Sequence, residues 1–430
     1  MARPYSASRG FLQVPMASVR VFLLHLVLIG LYTQFHLYRG STILFPFVLP
    51  NLIGAFVFVS YISRYNVRPS LSILGAIAIF SIGYLIAALV GGYFGQAMSK
   101  FVQLVVSIFS GFGIAILITR IGPDRLRRIL LRLSVGILIT AIAEAYLGFY
   151  PIMLKINEVL YAWRPAGFYI DAGRDVANWG AVRPLVFSTE PSLVGIWGSV
   201  LMIGATMLST AQDWKRYAIL IAYVVVLLFV TRSTTSMVIL ISHLVATLFD
   251  RRFSLSKQLV VLGVAIAMTI VLTLSSAATL VGQYAEGTSF FARILGPYMT
   301  TIEVLRINPI FGLGLGNENA LETIIMDVWN RTGMLAASMH YIKQWGITGM
   351  LTNNFFLLWI YFGVVGGLIF LGIVFALVRQ LGRYPMVMVA LTSFGVWMTV
   401  GGFVDARSWF FVYFFISCAI LSERTIARER

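Results

Sequence analysis

Long apolar segments are the feature of this sequence that most restricts how the chain can fold. An α-helix needs about 17 to 25 predominantly apolar residues to cross a lipid bilayer, and such runs follow one another along the whole chain. They predict an all-α fold, a polytopic transmembrane helical bundle of about 12 spans. The runs lie near 20–38, 42–63, 70–91, 101–119, 130–149, 190–209, 217–231, 234–249, 258–279, 353–378, 384–403 and 408–422.

The composition agrees with a membrane protein. The hydrophobic fraction is 59%, whereas only 11% of the residues are charged, against about a quarter in soluble domains. The formal net charge of +16 would suit nucleic acid, but the arginines lie in the gaps between apolar runs and form no basic cluster on a soluble module. We therefore expect membrane lipid, and no nucleic acid, as a partner. The single cysteine, Cys418, lies in an apolar run, which excludes a disulfide framework and a thiolate metal site.

The basic residues predict an orientation, because lysine and arginine accumulate in cytoplasmic connectors. With a cytoplasmic N-terminus, the inner connectors carry pairs and clusters of basic residues, while each short outer connector carries one. The alternation predicts that both termini are cytoplasmic and that the two long connectors lie on the outer face. The inner set includes Arg64, Arg68, Arg120, Arg125, Arg127, Arg128, Arg132, Lys215, Arg216, Arg251, Arg252, Lys257, Arg379 and Arg383, and the outer set is Arg39, Lys100, Arg232 and Arg407.

The runs and connectors divide the chain into five parts. The N-terminal helices occupy 1–149, the first large outer loop 150–189, the central helices 190–279, the second large outer loop 280–352 and the C-terminal helices 353–430. No removable signal-peptide pattern precedes the first run, so we expect that run to stay as an anchor. The short inner connectors leave no room for a soluble nucleotide-binding domain, which disfavours chemistry driven by ATP or a nucleotide sugar on that side.

The first outer loop is rich in aromatic rings and arginines. Rings such as those of Trp163 and Tyr169 can stack on the apolar faces of sugars, and guanidinium groups such as that of Arg183 pair bidentately with phosphate. The alternative is an interfacial belt of aromatic residues with arginines that face lipid headgroups. Both interpretations stay open for the rings.

Three charged residues lie at or near the outer ends of apolar runs. Glu190 precedes Pro191, and proline favours the first helical turn, so Glu190 is either a helix-start acid or a carboxylate that accepts a proton from a sugar hydroxyl. Arg232 lies between two spans and either binds the substrate or extends to lipid headgroups. Glu144 lies inside an apolar run, where we expect a structural pair with an arginine of the bundle.

The second outer loop combines Arg293, an apolar stretch with helical spacing, and glycines at 312, 314 and 316. Glycines at this spacing allow tight turns and the close approach of backbone to a ligand. The pattern lacks the strand, the helix and the Lys-Ser/Thr pair of a phosphate-binding loop, which favours a structural turn.

His340 is the only histidine of the outer loops. Its reference pKa near neutrality makes it a candidate base, and the alternative is a solvated loop histidine. The four histidines of the chain are scattered and show no metal-ligand spacing, so we expect neither a metal nor a cofactor.

Four motifs follow one another along the chain. They are Arg183 followed by Phe187-Ser188-Thr189-Glu190-Pro191-Ser192; Thr231-Arg232-Ser233; Arg293 followed by Asn308-Pro309-Ile310-Phe311-Gly312-Leu313-Gly314; and Asn353-Asn354 followed by Phe362-Gly363-Val364-Val365-Gly366. In this order they resemble the motifs of the Wzy-type O-antigen and exopolysaccharide polymerases and of the related O-antigen ligases. The order is a stronger signal than any one motif, and the resemblance covers about 180–370 by motif and the rest of the chain by topology.

The resemblance implies a metal-independent glycosyltransferase of the bacterial inner membrane whose active site faces the periplasm. Such polymerases transfer a glycan carried on undecaprenyl pyrophosphate to a repeat unit that is itself carried on undecaprenyl pyrophosphate. The implied substrates are therefore lipid-linked oligosaccharide repeat units. The implied protein partners are a flippase and a chain-length regulator, or co-polymerase.

The resemblance also implies roles for the arginines. Arg183 and Arg293 would hold the donor pyrophosphate, with Arg232 and Arg306 as further candidates for this task. Fixed guanidinium groups suit a leaving group that gains negative charge as the sugar–phosphate bond breaks.

The chain departs from the ligases at one point. The ligases carry a histidine followed by an asparagine at the start of the span after the large loop, whereas this chain has Asn353 and Asn354. Asparagine is not a base at neutral pH, which favours the polymerase, with Glu190 as the first candidate base and His340 as the second. Asn353 and Asn354 are then candidates for substrate binding.

Three other functions stay open: a glycan ligase, a lipid-linked oligosaccharide flippase or other transporter, and a structural scaffold. Transporters often have repeated halves, broken helices and charges near the middle of the membrane. Here the charges gather at the expected outer face and no two halves match. The sequence therefore favours a polymerase.

Overall fold

The chain folds into a bundle of helices. The structure, a computed structural model, describes residues 16–39, 42–65, 71–164, 167–168, 173, 175–176, 180, 182–209, 214–249, 263, 291–336, 338–339, 342 and 346–429. The α-helices in these ranges are α1 (Met16–Tyr32), α2 (Val48–Tyr65), α3 (Leu71–Val90), α4 (Phe94–Thr119), α5 (Pro123–Tyr146), α6 (Tyr150–Leu160), α7 (Pro191–Met207), α8 (Trp214–Thr231), α9 (Thr235–Thr247), α10 (Gly296–Ile307), α11 (Glu318–Arg331), α12 (Asn354–Arg379), α13 (Met386–Trp397) and α14 (Ala406–Glu429).

Short elements of other kinds connect some of these helices. Two strands, β1 (Leu37–Arg39) and β2 (Thr42–Phe45), form an antiparallel hairpin between α1 and α2. A π-helical turn (Phe291–Leu295) leads into α10, and a 3-10 turn (Thr348–Met350) precedes α12. Both long connectors that the sequence predicts as outer loops therefore contain helices: α6 in the first, and the π-helical turn, α10 and α11 in the second.

The described helices have the character of a membrane protein. Five are long and apolar enough to cross a bilayer, and five shorter ones are also apolar. These helices confirm the prediction of a helical membrane protein, while the count of about 12 spans stays a prediction. The long segments are Ser72–Val90, Phe94–Thr119, Pro123–Tyr146, Asn354–Arg379 and Ala406–Ala427, and the shorter ones are Ser18–Tyr32, Val48–Ile62, Pro191–Met207, Thr235–Thr247 and Met386–Trp397.

Each predicted apolar run that the structure describes contains a helix, although the end of the run at 20–38 and the start of the run at 42–63 belong to the hairpin of β1 and β2. The run at 258–279 lies outside the described residues, apart from Gly263. Length and hydropathy therefore located the helices, because a 20-residue apolar segment is stable in lipid only when its backbone hydrogen bonds are made within a helix.

Helices α7 and α14 occupy the interior of the bundle. Every residue of α7 is buried. Two glycines allow close packing against α14: Gly111 of α4 faces the ring of Tyr413, and Gly204 of α7 faces the ring of Phe414. Small residues at such contacts let helix backbones approach closely in membranes. The aromatic side chains of α14 that are 1% exposed or less are Trp409, Phe410, Phe411, Tyr413, Phe414 and Phe415.

Helix α12 is broken at Gly363, whose φ of 62° and ψ of −169° are not helical. A break inside a membrane leaves backbone groups that water cannot satisfy. The segment 308–314, which carries the Asn-Pro-Ile-Phe-Gly-Leu-Gly motif, supplies their partners. The amides of Leu313 and Gly314 donate to the carbonyls of Ile360 (2.9 Å) and Tyr361 (3.0 Å), and the amides of Val364, Val365 and Gly366 donate to the carbonyls of Pro309 (2.8 Å), Ile310 (3.1 Å) and Ile310 (3.1 Å).

Glycine is required on both sides of this contact. A Cβ atom on Gly312 would lie 2.5 Å from the amide nitrogen of Gly363, and a Cβ atom on Gly363 would lie 2.5 Å from the amide nitrogen of Gly312. Both residues also have a positive φ, 64° and 62°. The hydroxyl of Tyr84 in α3 donates to the carbonyls of Phe311 (3.2 Å) and Phe362 (3.0 Å), one on each side. The motif is thus a structural turn that completes the hydrogen bonding of α12.

We predict that Gly312→Ala and Gly363→Ala each lower the free energy of unfolding by about 3 kcal/mol or more. The new methyl group meets backbone atoms, and the positive φ disfavours any residue other than glycine. Thermal unfolding of the purified protein in detergent measures the effect. The matched control is Gly372→Ala in the same helix, where a Cβ atom meets nothing within 4 Å, so the stability should stay the same or rise slightly. Equal stability of all three variants would contradict the account.

Candidate functional site

The two long connectors meet at one end of the bundle. Arg183 and Glu190 belong to the first connector and its junction with α7, and Arg293 lies in the π-helical turn of the second. Burial lowers the pKa of the Arg293 guanidinium below its usual value; the Glu190 carboxylate opposes this shift and the charge of Arg183 adds to it. The structure therefore brings these three predicted residues close enough to interact electrostatically.

Asp175 orients the side chain of Arg183. Its carboxylate accepts a hydrogen bond from Nε of Arg183 at 2.7 Å and another from the backbone amide of the same residue at 3.3 Å. The Asp175 side chain is 1% exposed and that of Arg183 is 18% exposed. A buried carboxylate that binds Nε fixes the plane of a guanidinium group, so the direction of its remaining N–H donors is set in advance.

Glu144 holds the segment that follows Arg183. Its two carboxylate oxygens accept hydrogen bonds from the amides of Leu185 and Val186, both at 2.8 Å. We expected Glu144 to pair with an arginine, but these backbone amides are its hydrogen-bond partners in the structure. Two successive non-glycine residues, Val186 and Phe187, have positive φ values of 45° and 61°. Such strained conformations persist only where the surroundings enforce them, and they gather at functional sites.

Side chains from two other helices fix the same turn. The hydroxyl of Tyr32, at the end of α1, donates to the carbonyl of Val186 at 2.8 Å. The hydroxyl of Tyr161, just after α6, donates to the carbonyl of Phe187 at 2.6 Å. Burial raises the pKa of the Tyr161 hydroxyl, which keeps it protonated as a donor. The turn that leads to Glu190 is therefore rigid.

Glu190 lies in extended conformation directly before α7, whose first residue is Pro191. The hydroxyl of Ser188 donates to the carbonyl of Glu190 at 2.7 Å, and the hydroxyl of Ser192 donates to Oε2 of its carboxylate at 3.1 Å. The carboxylate is not used as an N-cap of the helix. The Ser192 hydroxyl occupies only one of the two carboxylate oxygens, so the other can accept a hydrogen bond from a ligand.

Asn353 anchors the backbone of Arg293. Its side-chain amide donates to the carbonyl of Arg293 at 2.9 Å and to that of Met398 at 3.1 Å, while its Oδ1 accepts from the amide of Phe356 and caps α12. The neighbouring Asn354 donates through Nδ2 to Oγ of Ser408 at 2.7 Å. Both asparagines, which were predicted to bind substrate, are fully buried. Their side-chain amides bond to other parts of the protein and hold the backbone around the site in place.

Two charged residues of the site were not predicted: Asp405 and Arg407, at the start of α14. Arg407 interacts electrostatically with Glu190 and Asp405, and its guanidinium lies 5.7 Å from the ring centroid of Phe47. Burial raises the pKa of the Asp405 carboxyl to about 6, while Arg407 and Lys100 limit the rise. A buried carboxyl group that titrates near neutrality is a candidate acid or base. The only sequence signal was a carboxylate two residues before an arginine in a short outer connector.

The surroundings of His36 show that this end of the bundle is electropositive. Its Nδ1 accepts a hydrogen bond from the amide of Phe47 at 3.2 Å. Burial, together with the positive charges of Arg164 and Arg407, lowers its pKa to about 3. His36 is therefore neutral at physiological pH, chiefly because burial disfavours its charged form and also because the neighbouring arginines disfavour another positive charge. The same potential attracts an anion.

The other predicted site residues lie in different surroundings. Arg232 has a positive φ of 51°, and its neighbours Thr231 and Ser233 pack against Gly195, one turn inside α7. Arg306 is 69% exposed and pairs with Glu303 at 3.0 Å, about 20 Å from Arg293 by helical rise, so it is not part of the group.

The aromatic candidates of the first loop have a packing role in the described part of the chain. The indole N–H of Trp163 donates to the carbonyl of Leu160 at 2.6 Å, and its ring packs on Phe35 at 5.0 Å. Tyr169 and the candidate base His340 lie outside the described residues.

Several polar atoms around the site have no hydrogen-bond partner among the residues that the structure describes. Each belongs to the group above or adjoins it in sequence. Buried polar atoms are nearly always bonded, so these four atoms are available to a polar ligand or to water; similar atoms also occur elsewhere in the described bundle, for example in Trp197 and Tyr413. The atoms are Oγ1 of Thr189, Oγ1 of Thr352, Oδ1 of Asn354 and Nε of Arg407.

Comparison of the chain with models of protein families, with characterised proteins and with solved structures finds no match. The functional argument therefore depends on the chemistry of the site.

We predict that Glu144→Gln loosens the turn that carries Glu190. The substituted amide can accept only one of the two backbone hydrogen bonds and points a donor at the other amide, which costs about 1–3 kcal/mol. Thermal unfolding in detergent should show a lower midpoint, and limited proteolysis should cleave near 185–188 sooner. Glu158→Gln is the control, because Glu158 is exposed on α6 and its substitution should change neither measurement. An unchanged Glu144→Gln protein would refute the role of the carboxylate.

Proposed function

We propose that this protein is a bacterial inner-membrane polysaccharide polymerase of the Wzy type. It would transfer a glycan from undecaprenyl pyrophosphate to a second repeat unit that is also carried on undecaprenyl pyrophosphate, at the periplasmic face. The observation that carries the proposal is the convergence of Arg183, Glu190 and Arg293 from two connectors more than 100 residues apart. A carboxylate close to guanidinium groups suits transfer of a sugar from a pyrophosphate.

The proposed step forms one bond and breaks one bond. The oxygen of an acceptor sugar hydroxyl attacks the anomeric carbon of the donor glycan and forms the glycosidic bond. The bond between that carbon and the phosphate oxygen breaks, and its electron pair leaves with undecaprenyl pyrophosphate. The proton of the hydroxyl passes to the Glu190 carboxylate. The polymer thereby grows at its reducing end.

The arginines act on the leaving group. Negative charge increases on the pyrophosphate as the bond breaks, and positive groups already fixed in position stabilise it without reorganisation. The Asp175 carboxylate supports this role for Arg183 because it fixes the guanidinium. Asn353 does so for Arg293 because it anchors the backbone carbonyl of that residue. Arg407, which interacts with Glu190, is a third cation for the two phosphates.

One observation favours a transporter as a second candidate. Broken helices bind substrates or ions in many transporters through the free backbone groups at the break. In this chain the groups at the break in α12 bond to the segment 308–314, and Gly312 and Gly363 are in backbone contact. The break therefore has little capacity left for a ligand, which supports the polymerase over the transporter.

We predict that Arg183→Ala and Arg293→Ala each lower kcat/KM for polymerisation by about 10²–10³, the usual effect of removing one group that stabilises the charge of a transition state. The assay uses purified protein and a synthetic lipid-linked repeat unit, and the product length is measured by gel electrophoresis. Polymers linked to undecaprenyl pyrophosphate indicate a polymerase, while transfer only to a different acceptor would indicate a ligase.

Arg331→Ala is the matched control for these variants. Arg331 is 51% exposed and pairs with Glu303 and Asp327 on the surface, so its loss should change kcat/KM by no more than about twofold, as is usual for an exposed ion pair. Full activity of the Arg183 and Arg293 variants would eliminate the pyrophosphate role.

We predict that Glu190→Gln lowers kcat at least about 100-fold at every pH, since general base catalysis contributes typically 10²–10⁴-fold. Asp405→Asn provides the comparison. If Asp405 were the base, wild-type activity would fall as the pH drops below about 6, where this carboxyl group becomes protonated, and Asp405→Asn would be the inactive variant. A pH–rate profile of the wild type and both variants decides between the two carboxylates.

A further inference from the structure

A basic cavity lies at the other end of α5, away from the site described above. It has a volume of about 250 Å³ and opens between α1 and α5. Glu144 lies 12 residues beyond Arg132 on α5, which is about 18 Å of helical rise. The proposed catalytic function makes no use of this cavity. Its lining residues are Val21, His25, Arg125, Arg128, Ile129, Arg132 and Leu133.

The positive charge of the cavity has no acidic counterpart within it. Among the described residues that line it, three are arginines and none is acidic. Arg125, Arg128 and Arg132 recur at intervals of three and four along α5, so they share one face of the helix. Like charges at this spacing destabilise a helix. An anion bound between the three guanidinium groups would remove that repulsion.

Two hydrogen bonds shape the α1 wall of the cavity. Nη1 of Arg20, near the start of α1, donates to the carbonyl of Arg120 at 3.2 Å, which ties α1 to the turn before α5. Nδ1 of His25 bonds to the carbonyl of Val21 one turn earlier at 2.7 Å. The first bond joins the two walls of the cavity, and the second lies within α1, where it orients the imidazole ring of His25.

The surface beside the cavity changes from basic to apolar along the same helical face. After Arg132, the positions at intervals of three and four are Val135 and Ile139, which are 44% and 62% exposed. On α1, Ile29 follows His25 by one turn and is 56% exposed. This order matches an amphiphile that has an anionic headgroup and a hydrocarbon chain. A free phosphate ion has no hydrocarbon chain and would not contact the apolar part of this surface.

We propose that this cavity binds the phosphodiester headgroup of an anionic phospholipid, with its acyl chain along Val135 and Ile139. Guanidinium groups pair bidentately with phosphate oxygens, and basic pockets between transmembrane helices hold such headgroups on the cytoplasmic side. The predicted orientation, in which Arg125, Arg128 and Arg132 face the cytoplasm, agrees with that side. The site would keep a resident lipid between α1 and α5.

Native mass spectrometry tests the site with phosphatidylglycerol as the probe and phosphatidylcholine as the zwitterionic comparison. The variant Arg125→Gln/Arg128→Gln/Arg132→Gln should retain at least about tenfold less phosphatidylglycerol than the wild type, since each basic residue near an anionic headgroup contributes roughly fivefold. The control Arg127→Gln/Arg383→Gln/Arg424→Gln removes the same charge outside the cavity and should retain the lipid within about twofold, since charges outside the cavity make no direct headgroup contact. Equal losses in the two variants would show general charge attraction and overturn the proposal.

Two further measurements separate the sources of phosphate and do not depend on the variants folding. Inorganic phosphate in millimolar excess should leave the bound phosphatidylglycerol in place; displacement would assign the cavity to a free anion and overturn the lipid site. A phosphatidylglycerol with a photoreactive acyl chain should label wild-type peptides that contain 133–142 of α5. Labelling confined to other helices would also overturn the proposal.

Discussion

The hydrogen bonds between the segment 308–314 and the break in α12 determine how the second connector is placed. A helix broken at Gly363 would leave several backbone groups without partners in an apolar environment, at a cost of several kcal/mol each in lipid. The segment supplies these partners, and the same hydrogen bonds hold the segment itself at Pro309 and Ile310 and again at Leu313 and Gly314. The connector therefore returns to the bundle at one position only. This constraint fixes the chain directly after the end of α10 at Ile307.

The first connector is held in place by side chains, whereas the second is held by backbone hydrogen bonds. There the carboxylate of Glu144 and the hydroxyls of Tyr32 and Tyr161 bind the backbone of residues 185–187. The strained φ values of Val186 and Phe187 are maintained by these contacts. Each connector thus carries its charged residue on a backbone that is bonded from outside. Rigid positioning of this kind is what electrostatic stabilisation of a transition state requires.

The sequence predicted what depends on local composition. The apolar runs located helices such as α4 and α12, because hydropathy and length alone decide which segments enter a membrane. The break in α12 was not predictable in this way, since Gly363 lies within a run that is apolar throughout. Its partner segment lies about 50 residues earlier, and although the glycines on both sides were noted in the sequence, nothing in the sequence shows that their backbones meet.

The candidate site was predictable to a lesser degree. Arg183, Glu190 and Arg293 were identified through the order of motifs, and the structure then brought them together. Asp405 and Arg407 were not assigned to the site, because a short connector with one acid and one arginine is typical of many membrane proteins. The amide partners of Glu144 could not be foreseen either, since an acid in an apolar run suggests an arginine as its partner.

The central claim is that Arg183 and Arg293 bind one pyrophosphate together. A double-mutant cycle measures this directly, with the Kd of undecaprenyl pyrophosphate for the wild type, Arg183→Ala, Arg293→Ala and the double variant. If the two guanidinium groups share the ligand, the effects are non-additive, with a coupling energy of about 0.5–3 kcal/mol. Effects that add to within about 0.5 kcal/mol would show that the two arginines act on separate ligands, and they would contradict the account.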